Sequence, residues 1–211
     1  LDLAKKTGAT IVYGPNANTV FECHNASDNE EFKIGKITLK ALHTPGHTLE
    51  SITYLLIDEN GKNHAIFTGD TLFLGDVGRP DLAIKSNLTK KDLAGMLFKS
   101  LRTKIMTLED SVIIYPAHGA GSACGKNLSK ETVGTLGDQK KNNYALRANM
   151  SKDEFVKEVL DGIGEPPQYF SKNAKLNQSG YSELDKVLEN GNNPLSVSEF
   201  ESLAIDSNIL V

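Results

Sequence analysis

The sequence is short of the features that mark specialised classes of protein. Only two cysteines, Cys23 and Cys124, occur in 211 residues, which excludes a disulfide-stapled scaffold and suits a reducing, cytoplasmic setting. No apolar run approaches the roughly 18 residues of a membrane-spanning helix, so no membrane partner is expected. Charge of either sign is not in excess: 23 Lys and Arg against 27 Asp and Glu leave a net charge of -4. That offers no field for nucleic acid or anionic lipid. Internal repeats and low-complexity tracts are also missing. Five Asn-x-Ser/Thr triplets occur, at Asn25, Asn87, Asn127, Asn149 and Asn177, and without a secretory context they read as chance.

What remains is an ordinary globular composition, 39% hydrophobic and 24% charged, long enough for one large domain or one domain and part of a second. The chain opens on Leu1-Asp-Leu-Ala-Lys-Lys, already in a helical pattern, and closes on the apolar run Ile209-Leu-Val211. Neither has the polar character of a natural terminus, so a section of a longer polypeptide is expected.

Leu1 to Thr7 reads as the end of a helix stopped by Gly8, and Thr10 to Tyr13 as a short strand ended by Gly14-Pro15. Residues 16–30 are polar and loop-like. Phe32, Ile34, Ile37 and Leu39 alternate about Gly35-Lys36, predicting a hairpin over 31–42. Ser51–Ile57 and His64–Thr68, joined by Asp58-Glu-Asn-Gly61, predict another. Residues 69–88 lack periodicity and are rich in Gly, Asp, Arg and Pro, a long loop of the kind that carries function. Thr89 and Asp92 form a capping-box pattern for a helix with Leu93, Met96, Leu97 and Leu101 on one face. Val112–Tyr115 predicts a buried strand running into Pro116-Ala-His118. Ser151-x-x-Glu154 predicts a capped helix bearing Phe155, Val156, Val159 and Leu160 and broken by Pro166-Pro167. Shorter helices are predicted near 182–189 and 196–204. Strands thus occupy the first 118 residues and helices the rest.

Three of these apolar strands end in small-residue turns that carry a metal-ligand type: His47 after Thr44-Pro-Gly, Asp70 after Thr68-Gly, His118 after Tyr115-Pro-Ala. Each alone is an unremarkable polar residue at a strand end. Together they converge if the strands share an edge. Two imidazoles and a carboxylate suit zinc or non-haem Fe(II). Separation of the His47 and Asp70 side chains beyond roughly 6 Å would forbid a shared ion with bonds of about 2 Å. The Gly119-Ala-Gly121 run lacks the spacing of a dinucleotide loop and predicts no nucleotide site.

Thr44-Pro-Gly-His-Thr48, Phe67-Thr-Gly-Asp-Thr-Leu-Phe73 and Tyr115-Pro-Ala-His118 resemble, in order and separation, three motifs of the metallo-β-lactamase superfamily. Gly75-Asp-Val-Gly-Arg-Pro-Asp81, His118-Gly-Ala-Gly-Ser-Ala-Cys-Gly125, and Gln139-Lys-Lys-Asn-Asn-Tyr-Ala-Leu146 leading to Pro166-Pro-Gln-Tyr-Phe170 are similar to its persulfide dioxygenase branch, in particular to bacterial members fused to a rhodanese domain. The resemblance implies an α/β fold, the αβ/βα sandwich of two stacked sheets with helices outside, incomplete at its N-terminus. It implies a metallo-β-lactamase-like domain over 1–181 and, over 182–211, a linker and the start of a rhodanese-like domain.

It further implies that His47 and Asp70 bind one Fe(II) per chain, with Zn2+ as the alternative metal. His118 is either a second-site ligand, as in dizinc relatives, or a hydrogen-bonding neighbour of the iron. Arg79 matches a position that holds an anionic part of the thiol substrate; its plainer alternative is a loop-bracing arginine. The superfamily's His-x-His-x-Asp-His motif is absent, and neither His24 nor His64 replaces it, so a further ligand is expected upstream of Leu1. The implied reaction is oxidation of a low-molecular-weight thiol persulfide by O2 to sulfite and thiol. The alternatives are a dizinc thioester hydrolase of the glyoxalase II type, or a non-catalytic domain. A homo-oligomer and a covalently linked rhodanese domain are the expected protein partners. Cys124, six residues beyond His118, is either a small packed residue or a thiol near the iron.

Overall fold

The computed structural model describes residues 1–82, 88–192 and 194–205. After a short helix α1 (Asp2–Thr7), ended by Gly8 in the left-handed conformation, strands β1 (Val12–Tyr13) and β2 (His24–Asn25) form a parallel pair. A larger sheet follows in the order β3 (Glu31–Ile34), β4 (Ile37–His43), β5 (Ile52–Ile57), β6 (Asn63–Gly69), β7 (Ile113–Pro116) and β8 (Gly134–Thr135). β3 to β6 are an antiparallel meander, as the two predicted hairpins require. β6 and β7 are parallel. Their connection carries the long loop and α2 (Lys90–Ser100), the crossover that a parallel pair needs.

The expected α/β fold is what the chain forms. Two stacked sheets were expected, and among the described residues the second is only the β1–β2 pair. The closing run Ile209–Val211 and residues 83–87 of the long loop lie outside the described residues.

The core lies where α2 covers the larger sheet. Leu93 and Leu97 on α2, and Leu101 one turn further on, are fully buried together with Ile66 and Ile114 of the central strands. Helix α4 (Lys152–Leu160) packs on α2 through Phe155, whose ring meets that of Phe98 edge-on at 5.3 Å. Beyond Ser100 the helix widens into one π-helical turn, Leu101–Ile105, which keeps both end residues buried. The periodicity of the sequence gives no sign of it, since it inserts one residue into the turn. Helices α3 (Leu136–Asn142), α5 (Tyr169–Ser179), α6 (Leu184–Gly191) and α7 (Val197–Ile205) complete the described chain. α5 to α7 bury no side chain completely, so α5 lacks the apolar stripe that would have predicted it.

Both predicted capping boxes form. In α4 the Ser151 hydroxyl accepts from the Glu154 amide at 3.3 Å, and the Glu154 carboxylate accepts from the Ser151 amide at 2.8 Å. Ser151→Ala is expected to cost about 1 kcal/mol and lower the midpoint of thermal unfolding by about 2–4 °C. An unchanged midpoint would show the cap to be idle.

Candidate metal centre

β5 runs antiparallel to both β4 and β6, and β7 runs parallel to β6. β4, β6 and β7 therefore point the same way, and their carboxyl ends share one edge of the sheet. That is where open α/β sheets place their ligands. The turns after these strands carry His47, Asp70 and His118.

The first turn lies directly on α2. Gly46 has φ 149°, and a Cβ there would fall 2.4 Å from Cβ of Leu97. Ser100 Oγ donates to the Pro45 carbonyl at 2.9 Å. Buried threonines tie this turn to the next strands: Thr44 Oγ1 lies 3.1 Å from Thr53 Oγ1 and 2.9 Å from Thr71 Oγ1. Hydroxyl pairing of this kind leaves no periodic signature, and the threonines were not foreseen.

His47 is 7% exposed. Its Nδ1–H donates to the Arg79 carbonyl at 2.9 Å, which leaves the lone pair on Nε2, the arrangement found in metal-ligating histidines. Burial, the largest influence, pushes the His47 pKa below its ordinary value, against the opposing pull of Asp70 and the Arg79 carbonyl. The neutral imidazole is the ligating form. Asp70 Oδ1 is buried without a hydrogen bond. His118 Nε2 comes within 3.1 Å of it, close enough for attraction but not aligned for a hydrogen bond. Ligand atoms of His47, Asp70 and Cys124 all lie within 4.8 Å of one another. His47 and Asp70 thus meet the distance limit for a shared ion. An orphaned carboxylate oxygen beside a neutral imidazole fits a divalent cation, which would supply the missing partner.

Arg79 was expected to hold an anionic part of the substrate. Instead it is buried and turned into the protein. Its Nε and Nη2 donate to the two oxygens of Asp81, each at 2.7 Å, and Nη2 also donates to the Gly164 carbonyl at 2.6 Å. Nη1 reaches the Ala123 carbonyl at 3.5 Å. A guanidinium engaged in this way braces the loops around it. Asp76 is a second brace. Its carboxylate accepts from the amides of Val77, Lys126 and Asn127 and from the Tyr144 hydroxyl. Burial first, then Asp76, keeps the Tyr144 phenol protonated well above its ordinary range.

The centre borders a cleft of about 490 Å3 lined by His47, Thr48, Ser51, Asp70, Asn177 and Gln178 among others. Burial is also the main reason that the Cys124 thiol lies above its ordinary pKa, reinforced by the charge of Asp70. His24 pairs with Glu30 at 2.6 Å. Among the described residues no helix is long and apolar enough to cross a membrane.

A histidine and an aspartate gathered at the carboxyl edge of a mixed α/β sheet form a candidate metal site. No protein-family model matches the chain. Among solved structures, a metallo-beta-lactamase from Staphylococcus aureus subsp. aureus COL is 35% identical and has a TM-score of 0.76, covering 86% of this chain and 54% of that one. ETHE1 from Myxococcus xanthus is 26% identical, with a TM-score of 0.67, over 84% of this chain and 69% of that one. Among curated proteins, the mitochondrial persulfide dioxygenase ETHE1 of Bos taurus is 31% identical over 139 residues, 66% of this chain and 46% of that one. A probable hydroxyacylglutathione hydrolase of Schizosaccharomyces pombe is 32% identical over 118 residues, 56% of this chain and 41% of that one. The chain spans less than half the length of these curated relatives. With the motifs in place around the centre, the chain belongs to the metallo-β-lactamase superfamily.

Proposed function

We propose that the protein is a persulfide dioxygenase with one Fe(II) per chain, converting a thiol persulfide, O2 and water to thiol and sulfite. The observation that carries this reading is the donor set. His47 and Asp70 come together as one imidazole and one carboxylate, while His118 stands against Asp70 outside the 4.8 Å group. That favours one ion over two. Similarity to two ETHE1 proteins supports it further.

Bound Fe(II) supplies redox chemistry and open coordination positions. The protein's part is positional. The Arg79 carbonyl fixes the His47 tautomer and ring plane, and the Asp70 carboxylate supplies the negative charge. His118 Nε2 stands 3.1 Å from that carboxylate. With Arg79 engaged by Asp81, the thiol carrier is received by the neutral hydroxyls and amides of Thr48, Ser51, Asn177 and Gln178 along the cleft. On the motif resemblance we place the metal-binding domain at 1–181 and a linker with the start of a rhodanese-like domain at 182–211, in a cytoplasmic homo-oligomer.

A dizinc thioester hydrolase is the second reading, favoured by similarity to the S. pombe hydrolase and by the 3.1 Å approach of His118 to Asp70. Iron-loaded protein given glutathione persulfide aerobically is expected to consume O2 and release sulfite, with one iron per chain. Two zinc ions per chain and hydrolysis of lactoylglutathione, without O2 uptake, would install the hydrolase instead.

A further inference from the structure

We propose that Cys124 is itself a metal ligand, its thiolate joining His47 and Asp70 to hold a soft or borderline divalent cation. The inference rests on the metalloenzyme reading of the site and adds a sulfur donor to it. Three observations carry it. The first is distance. With metal bonds of about 2.0–2.1 Å to nitrogen, 2.0–2.2 Å to oxygen and about 2.3 Å to sulfur in a tetrahedral array, ligand atoms on one ion stand roughly 3.3–3.7 Å apart. Ligand atoms of Cys124, His47 and Asp70 lie within 4.8 Å of one another, so side-chain movement of about an ångström brings all three onto one ion.

The second observation is that the loop bearing Cys124 is anchored on both sides of it. The Arg79 amide donates to the Cys124 carbonyl at 2.9 Å, and Cys124 N–H donates to Ser122 Oγ at 3.1 Å. Two and three residues further on, the amides of Lys126 and Asn127 are held by Asp76 at 2.5 and 2.7 Å. Arg79 and Asp76 belong to the same loop whose Arg79 carbonyl orients His47. One rigid unit therefore sets both the sulfur and the imidazole. The third is chemical. His47 is over nine-tenths buried, its Nε2 makes no hydrogen bond among the described residues, and Asp70 Oδ1 is orphaned beside it. A cysteine that merely filled space would sit among apolar groups, whereas Cys124 is only half-buried and its thiol lies in hydrogen-bonding range of Ser122 and of the Asp70 carboxylate. On binding, the S–H bond breaks, a sulfur–metal bond forms, and one proton passes to water.

Co(II) added to a Cys23→Ser chain, in which Cys124 is the sole thiol, tests this directly. At one equivalent it is expected to give a near-ultraviolet sulfur-to-cobalt charge-transfer band and to release a proton from the thiol. Cys124→Ser is expected to abolish the band and weaken Co(II) binding at least about tenfold, the smallest loss seen even when an outer partner of a ligand is removed. Should that variant fail to fold, alkylation of Cys124 by iodoacetamide in the Cys23→Ser chain gives an independent reading, with Co(II) expected to slow it by a similar factor. Cobalt d–d bands without the charge-transfer band would overturn the proposal, as would no uptake of Co(II) at all. Failure of the persulfide assay, with the band intact, would remove the dioxygenase reading and leave the thiolate ligand standing.

Discussion

Gly78→Ala is expected to weaken metal binding at least about 10–100-fold. A Cβ at position 78 would fall 1.9 Å from the Asp70 carbonyl oxygen and 2.9 Å from Nδ1 of His47. The first contact is with backbone, which cannot rotate away, so either the 75–81 loop or the Asp70 turn must move. Movement of the loop displaces the Arg79 carbonyl from His47 Nδ1, and movement of the turn displaces Asp70 itself. Overpacking a well-filled site costs about 1–3 kcal/mol, and a clash against fixed backbone belongs at the upper end. Metal affinity should fall by at least the factor of about 10–100 that follows loss of a ligand's orienting partner. Metal content after loading and dialysis, measured beside the thermal midpoint, checks both. A Gly78→Ala chain that keeps its metal would mean that His47 and Asp70 are not held as described.

Asp81→Ala should destabilise the fold more than any surface change. Asp81 and Arg79 side chains are 1% and 8% exposed. Removing one partner of a buried pair costs about 3–5 kcal/mol, because the remaining charge is stranded. For a chain of this length that lowers the thermal midpoint by roughly 6–20 °C. A double replacement, Arg79→Met with Asp81→Leu, should recover much of the loss, since it strands no charge. Recovery of stability without recovery of metal binding is the expected signature of a brace that also positions His47. A loss below about 1 kcal/mol would mean that the pair behaves as an exposed one.

How legible each feature was depends on how far away its partners lie. The hairpin over residues 31–42 and the caps of α2 and α4 are set by neighbours a few positions away, and alternation or a Ser-x-x-Glu spacing displays them directly. Helix α5 and the π-helical turn at Leu101–Ile105 escaped, the one for want of an apolar face, the other because it breaks the period by one residue. β2 lies in a polar stretch and exists only because β1 pairs with it. The bracing contacts of Arg79 were not legible because Gly164, 85 positions away, takes one of its hydrogen bonds, and no local pattern encodes that.

By itself the sequence determined the strand-and-turn grammar, the helix caps, and the residue types at each strand end, including His47, Asp70 and His118. Those follow from side-chain chemistry acting over a few residues. Only the tertiary structure decided that three of the strands run the same way. It likewise decided that one loop carries the brace for His47, and that Cys124 arrives beside Asp70. These depend on strand direction and on hydrogen bonds closed across dozens of residues, which exist only once the core has assembled.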